Sequence, residues 1–432
     1  MSYSSRLQTL TRSMGLVTRR VWPVAIGGLG AYVLLQTEAS CSFVKKASLL
    51  AREFVTCMGN ETAKGVLLMA RAESEYKCQD IVVIREDKAH GLFLILHLHP
   101  HASAKDCVQA LRKIQAHVDR ISPKDIRDED NELIVGLAFG QEFLAKIYPD
   151  AGKNGVEPFP FSERKSKVAQ MPSTGGGDIL VHAVCGEQGK LFELAQAVLN
   201  DLPKGAVQST EETYGFTYRD GRDLSGFVDG FVTGTANPAD ETDRIEAAVS
   251  ETTGGSYVLT QRWLHDMKKI ASENVKTMEA NVGRTKTDNI RIEPIAPTSH
   301  LGRVKRGELH TKDAADTSDM TGRMVRHSLP YGIASGECGL FFVAYTKSPQ
   351  IFDWALDRMA GLSHDRIEDG LFHFTRPLTG AYFYSPSRVE LETILKGGGK
   401  RFSLLSFLVV CFDCFETTEM MFYVFSALQL PC

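Results

Sequence analysis

Short apolar runs of strand length alternate with amphipathic stretches between residues 64 and 395, and this alternation restricts the chain to folds that mix sheet and helix. Residues 81–84 and 91–96 are apolar runs of buried-strand length. From 102 to 121, Val108, Leu111, Ile114, Val118 and Ile121 recur every three or four positions, which predicts an amphipathic helix. Residues 133–139 read as the next strand. A second cycle follows, with a strand over 178–184, a helix over 190–202 and a strand near 214–218. The C-terminal half repeats the rhythm: strand 255–260, helix 261–272, strand 339–345, helix 349–359. This predicts an α+β chain of two similar halves, although no direct sequence repeat relates them. Gly, Asp, Thr, Asn and Pro crowd together between Arg222 and Glu246, which marks the boundary.

With 432 residues, the chain is long enough for two ordinary domains. Hydrophobic residues at 43% and charged residues at 24% describe a globular protein, neither a membrane bundle nor a disordered chain. The net charge of -4, with acids and bases interspersed, offers no electrostatic case for nucleic acid as a partner. Nine scattered cysteines, an odd number, read as reduced thiols and not as a disulfide framework.

Both ends differ from the middle. Residues 1–37 hold four arginines and no acid, and an apolar run over 21–35 is interrupted by Pro23. That run is shorter than the ~20 residues of a membrane span. A mitochondrial-type presequence fits, with export or membrane anchoring through the apolar segment as the alternative. After Gly397-Gly398-Gly399, residues 402–432 form an apolar, aromatic tail with three of the nine cysteines. Cys411 and Cys414 have the spacing of half a zinc site, but no second pair follows, so no metal site is predicted there. Asp413, Glu416 and Glu419 interrupt the run and argue against a clean tail anchor.

One loop carries most of the functional information. Residues 220–238 read DGRDLSGFVDGFVTGTANP. Further blocks follow in order: Gly254-Gly255-Ser256-Tyr257, Gln261-Arg262-Trp263, Gly283-Arg284-Thr285-Lys286-Thr287-Asp288, Ser299-His300-Leu301-Gly302-Arg303, and Val325-Arg326-His327-Ser328-Leu329-Pro330-Tyr331-Gly332. Together, with this order and spacing, they resemble the dye-decolorizing peroxidase family and its GxxDG signature. The likeness extends from about Lys64 to about Ser387.

The resemblance implies two ferredoxin-like domains, each an antiparallel sheet packed with helices. It divides the chain into a targeting or anchor-like segment (1–60), an N-terminal domain (61–230), a C-terminal haem-binding domain (231–395) and the atypical tail (396–432). It implies one haem b per chain, hydrogen peroxide as oxidant, and a ferryl intermediate reduced by one-electron donors such as phenols or dyes. Association into dimers or larger homo-oligomers is also implied. A haem that cleaves peroxide needs a neutral nitrogen donor on one face, and the pattern puts that iron ligand at His300. The other face needs a group that moves a proton between the peroxide oxygens, at Asp229, and a fixed cation for the developing charge, at Arg326. Ser328, two residues on, points to the same side if the segment is extended. Asp369 is expected to orient His300 through its second ring nitrogen, and Arg303 to meet a haem propionate.

The loop departs from the family pattern by four extra residues, because Gly-Phe-Val-Asp is repeated as Gly-Phe-Val-Thr. Two registers are open. The upstream match to Arg222-Asp223-Leu224 favours Asp229, whereas the downstream match to Thr235-Ala236-Asn237-Pro238 favours Thr233. The alternative reading is a haem-handling protein with little peroxidase turnover, either deferrochelatase-like or, chiefly if Thr233 faces the haem, a haem carrier or sensor. Trp263, Trp354, Tyr331 and Tyr345 are weighed as electron relays against plain core packing. His327 is expected to face away from Arg326 and Ser328.

Overall fold

The computed structural model describes residues 78–84, 88–174, 176–229, 238, 240–304 and 323–397. The presequence-like start, the second copy of the loop repeat with Thr233, and the tail with Cys411 and Cys414 lie outside the described residues. No helix among the described residues is long and apolar enough to cross a membrane.

Ten strands join one antiparallel sheet. From the N-terminal half come β1 (His90–Leu98) and β2 (Ile134–Phe139), whereas β3 (Arg164–Lys165) and β4 (Gln170–Met171) make a separate two-stranded ribbon. Then follow β5 (Ile179–Cys185) and β6 (Val207–Phe216). The C-terminal half supplies β7 (Ser256–His265), β8 (Val325–Arg326), β9 (Leu329–Gly332), β10 (Cys338–Thr346), β11 (Thr375–Pro377) and β12 (Ala381–Ser385). The order β7-β12-β2-β5-β1-β6-β9-β10 closes on itself, because β10 also pairs with β7. The α+β class and the two-halves expectation hold, and the two sheets are joined edge to edge into a ring. The halves meet at two seams, where the ladder is reduced to Tyr384↔Phe139 on one side and Gly215↔Tyr331 on the other.

Successive residues point to opposite faces of the sheet, and strands covered on both faces are apolar throughout. In β1, Leu92, Leu94 and Leu96 join the core beneath the helices, whereas Phe93 and Ile95 face the second core. In β10, Phe341, Val343 and Tyr345 take the second core, and Ala344 the first. β6 differs, with Gln208, Ser209, Thr210 and Glu212 exposed. The helices Gln188–Asp201 and Pro349–Met359 lie over the first core, the latter opened by Pro349 in its first turn.

Three expected elements differ. Residues 81–84, expected as a strand, begin within a four-residue helix, Asp80–Val83. A short apolar run does not distinguish the two states, and Gln79 decides it. Its amide exchanges hydrogen bonds with both backbone groups of Leu137 (2.8 Å each) and donates to Ser385 Oγ at 3.0 Å, pinning the helix across the β2–β12 seam. The single helix expected over 102–121 is two, Ala104–Leu111 and Ile114–Ile121, broken at Arg112 and Lys113. The strand expected to end at Thr260 runs on to His265, so the following helix is only Met267–Ser272. Thr375 and Pro377 pair alongside β7 there, and this long-range pairing overrides the local pattern.

Candidate active site

His300 opens a short helix, His300–Val304. Ser299 organises its start, donating from Oγ to the Ala296 carbonyl at 2.7 Å and accepting from the Gly302 amide at 3.2 Å. The His300 ring is 28% exposed, and its Nδ1 lies 2.7 Å from Asp369 Oδ2. A carboxylate only accepts, so the neutral ring carries its proton on Nδ1 and keeps the Nε2 lone pair free. Asp369 is itself fixed. It is buried, its other oxygen accepts from the Leu371 amide at 2.8 Å, and the next residue's amide donates to the Thr298 carbonyl at 2.8 Å.

Arg303, expected to meet a propionate, does something else. It is fully buried. Its Nε donates to the Arg358 carbonyl at 3.0 Å, and its two terminal nitrogens reach Asp365 at 2.7 and 3.0 Å. Ser363 Oγ at 3.1 Å and the Pro297 carbonyl at 3.5 Å take the remaining protons. All five donors are committed to protein acceptors, which leaves none for a cofactor carboxylate. Arg303 therefore anchors the helix that carries His300. Arg358 completes the clasp from the helix Pro349–Met359, donating to the carbonyls of Arg303 (2.8 Å) and Gly302 (3.2 Å). These are C-terminal carbonyls that a short helix leaves unsatisfied.

On the other strand segment, β8 and β9 run in one continuous register against β10, with Arg326 opposite Ala344 and Leu329 opposite Phe341. The His327 amide bonds to the Val343 carbonyl at 3.1 Å, so the segment is extended throughout. Arg326 and Ser328 thus share the face of Ala344, whereas Val325, Leu329 and Tyr331 belong to the second core, on the opposite face. His327 takes that opposite face too; burial, with Arg244 adding to it, pushes its imidazole down to about 4, and it stays neutral. Ser328 is buried, and its Oγ accepts from the Val343 amide at 3.3 Å, leaving its hydroxyl proton to donate.

Asp229 ends a tightly folded loop. The backbone closes by Asp229 N–H to Gly221 carbonyl (3.0 Å) and Asp223 N–H to Phe227 carbonyl (2.9 Å). Gly226 turns with φ +88° where a Cβ would run into the Lys286 stem. Arg222 ties the loop down, donating to the carbonyls of Gly226 (3.0 Å), Lys286 (2.6 Å) and Thr287 (3.0 Å). Its neighbour Asp223 receives His265 Nε2 at 2.8 Å.

Asp229 and Arg326 come together. Burial lowers the Arg326 guanidinium from its ordinary value, the Asp229 carboxylate opposes that shift, and Arg284 adds to it. Asp229 Oδ2 and Arg326 Nε are both shielded from solvent. Asp229, in the first copy of the loop repeat, thus lies within electrostatic reach of Arg326; the second copy, with Thr233, lies outside the described residues. An imidazole anchored to a carboxylate through Nδ1, with Nε2 unengaged, and a separate, partly buried carboxylate–guanidinium set suit a haem with one protein ligand and a polar peroxide side. Trp263, Tyr331 and Tyr345 are buried in the two cores, as core packing requires.

Asp223, His265, Thr375, Asp365 and Arg358 were not singled out by sequence reasoning. Asp223 stands inside the quoted loop motif, but nothing in the sequence ties it to a histidine 42 positions away.

Two family models match the chain: Dyp-type peroxidase, N-terminal, over residues 81–217, and Dyp-type peroxidase, C-terminal, over 220–390. The dye-decolorizing peroxidase of Mycobacterium tuberculosis is 30% identical over 288 residues, which span 64% of this chain and 79% of that protein. That of Brevibacterium linens is 29% identical over 312 residues, 70% and 79% of the two chains. Among solved structures, a dye-decolorizing protein from V. cholerae is 32% identical with a TM-score of 0.60, covering 72% of this chain and 98% of its own. A DypB variant from Rhodococcus jostii RHA1 in complex with heme is 26% identical with a TM-score of 0.61, covering 73% and 97%.

Proposed function

The chain belongs to the Dyp-type peroxidase family, and from that premise we propose how its own residues carry the chemistry. It is a haem-dependent peroxidase that reduces hydrogen peroxide and oxidises one-electron donors. Haem, when bound, would supply an iron centre able to accept the two oxidising equivalents of peroxide and pass them to donors one at a time. His300 Nε2 is the nitrogen offered to that iron, and Asp369, by accepting the hydrogen bond from Nδ1–H, fixes the ring and makes it a stronger donor.

Asp229 takes the proton from one peroxide oxygen and delivers it to the other, which then leaves as water. Arg326 stays cationic and stabilises the negative charge on the departing oxygen from a buried position, where such a charge acts most strongly. The Ser328 hydroxyl, on the same face, donates to a water or to the peroxide. The observation that carries this reading is that Asp229 lies within electrostatic reach of Arg326, with Asp229 Oδ2 and Arg326 Nε both shielded from solvent.

Stopped-flow mixing of the haem-loaded protein with peroxide tests it. Asp229→Asn and Arg326→Leu are each expected to slow the reaction by about 100-fold, within the range typical of general acid–base groups and oxyanion donors, with the Soret band retained. An unimpaired Asp229→Asn variant together with a slow Thr233→Ala variant would move the acid–base role to the second copy of the repeat.

A further inference from the structure

The loop that ends in Asp229 is held at its base by a buried pair outside the site described above. His265, the last residue of β7, is 7% exposed and makes hydrogen bonds through both ring nitrogens. Nε2 faces the Asp223 carboxylate at 2.8 and 3.0 Å. Nδ1 lies 2.7 Å from Thr375 Oγ, across the strand pair β7–β11. The Thr375 hydroxyl also lies 3.1 Å from the Leu264 carbonyl. A carboxylate only accepts, so Nε2 carries a proton and donates to Asp223.

The surroundings agree. Burial by itself would raise the Asp223 carboxyl, but the charge and hydrogen bonds of His265, with the Ser225 hydroxyl and amide, hold it below the usual range. The one other titratable group recorded against Asp223 among the described residues is the Cys338 thiol on β10. Burial first, and Asp223 second, keep that thiol protonated. The Phe374 ring stands edge-on to His265 at 6.5 Å. Asp266 is turned away, accepting from the Lys269 amide at the head of the next helix, and Arg376 alternates to the exposed side of β11.

We propose that Asp223 and His265 form a positioning latch that holds the Asp229 loop beside Arg326. The path is short. Asp223 bonds through its amide to the Phe227 carbonyl, and two residues further on the Asp229 amide bonds to the Gly221 carbonyl, so displacement of Asp223 is passed to Asp229 through the closed loop. Arg222 holds the same loop to the carbonyls of Lys286 and Thr287, which leaves Asp223 to set its other side, against β7. The latch rests on the assignment of Asp229 as the proton carrier.

Two measurements on the haem-loaded protein test the latch. The first is a double-mutant cycle on the peroxide rate constant with Asp223→Asn, Asp229→Asn and the double variant. Asp223→Asn is expected to lose about ten- to a hundredfold, as for a misplaced catalytic group, and the double variant to be no slower than Asp229→Asn alone. Losses that multiply would overturn the latch. An Asp229→Asn variant with full activity would instead refute the Asp229 assignment and leave the latch to be judged by the second measurement.

That measurement is hydrogen exchange of the peptide spanning 221–229, read by mass spectrometry at neutral pH. Protection in the wild type should exceed that in His265→Gln and in Asp223→Asn. Protection in both variants equal to that of the wild type would overturn the latch. Asp223→Asn is nearly isosteric and keeps the test usable if His265→Gln fails to fold.

Discussion

Removing the imidazole at position 300 takes away the one nitrogen that Asp369 leaves free, because the pair is built so that only Nε2 faces outward. His300→Ala should therefore lose the iron–histidine signature in its absorption and resonance Raman spectra. Normal ligation in that variant would end the assignment. Asp369→Asn is milder: the amide still caps the backbone of Leu371 but gives the ring less negative charge to lean on. Haem should stay bound, the iron midpoint potential should rise, and turnover should fall by about tenfold, the low end for a ligand's supporting partner. At this scale the contacts of His300 with Asp369 and of Asp229 with Arg326 could be anticipated because the family resemblance names all four residues, although the partners lie far apart along the chain. That of Asp223 with His265 could not, since their pairing is created by β7 running to residue 265, further than its apolar pattern suggested. Arg303 was misread for a related reason. A motif can name an arginine, but only packing shows that Asp365, Ser363, Pro297 and Arg358 have already taken its five protons.

The helix His300–Val304 is too short to hold itself in place, and the Arg303–Asp365–Arg358 clasp does so from the helix Pro349–Met359. Replacing Arg303 with Ala should cost about 3 kcal/mol, the lower end for breaking a buried ion pair, measured by chemical denaturation; a loss under about 1 kcal/mol would mean that the clasp is ornamental. Its pH dependence has a definite sign. Burial would raise the Asp365 carboxyl, but the Arg303 and Ser363 hydrogen bonds hold it far below the usual carboxylate range. The stability it contributes is therefore full above about pH 4, the unfolded value, and drains away as pH falls towards the folded one. Among the elements, the long strands and the helix Pro349–Met359 were readable from periodicity. The break at Arg112 and Lys113 and the helical state of 80–83 were not, because each is decided by contacts far along the chain, as Gln79 bonding to Leu137 and Ser385 makes plain.

For the molecule as a whole, the ring of strands is complete at β12, and the helix Arg388–Leu395 closes the chain beside it with a capping box of Ser387 and Glu390. Deleting residues 402–432 is accordingly expected to leave peroxide turnover and the melting temperature of the haem-loaded protein unchanged, and an inactive or unfolded truncation would show the tail to be part of the fold. The α+β architecture in two halves could be inferred from the chain; that the halves close into one ring could not, since its seams rest on two pairings with no local signature. The strict alternation along residues 325–331 has a last consequence, for how this enzyme can be damaged. Slipping that segment by one residue would carry Arg326 into the apolar interior and bring His327 out in its place. Burying an unpaired guanidinium there costs far more than the marginal stability of a domain allows. Errors of register at this point are therefore eliminated by misfolding, before an assembled but misaligned haem pocket can accumulate.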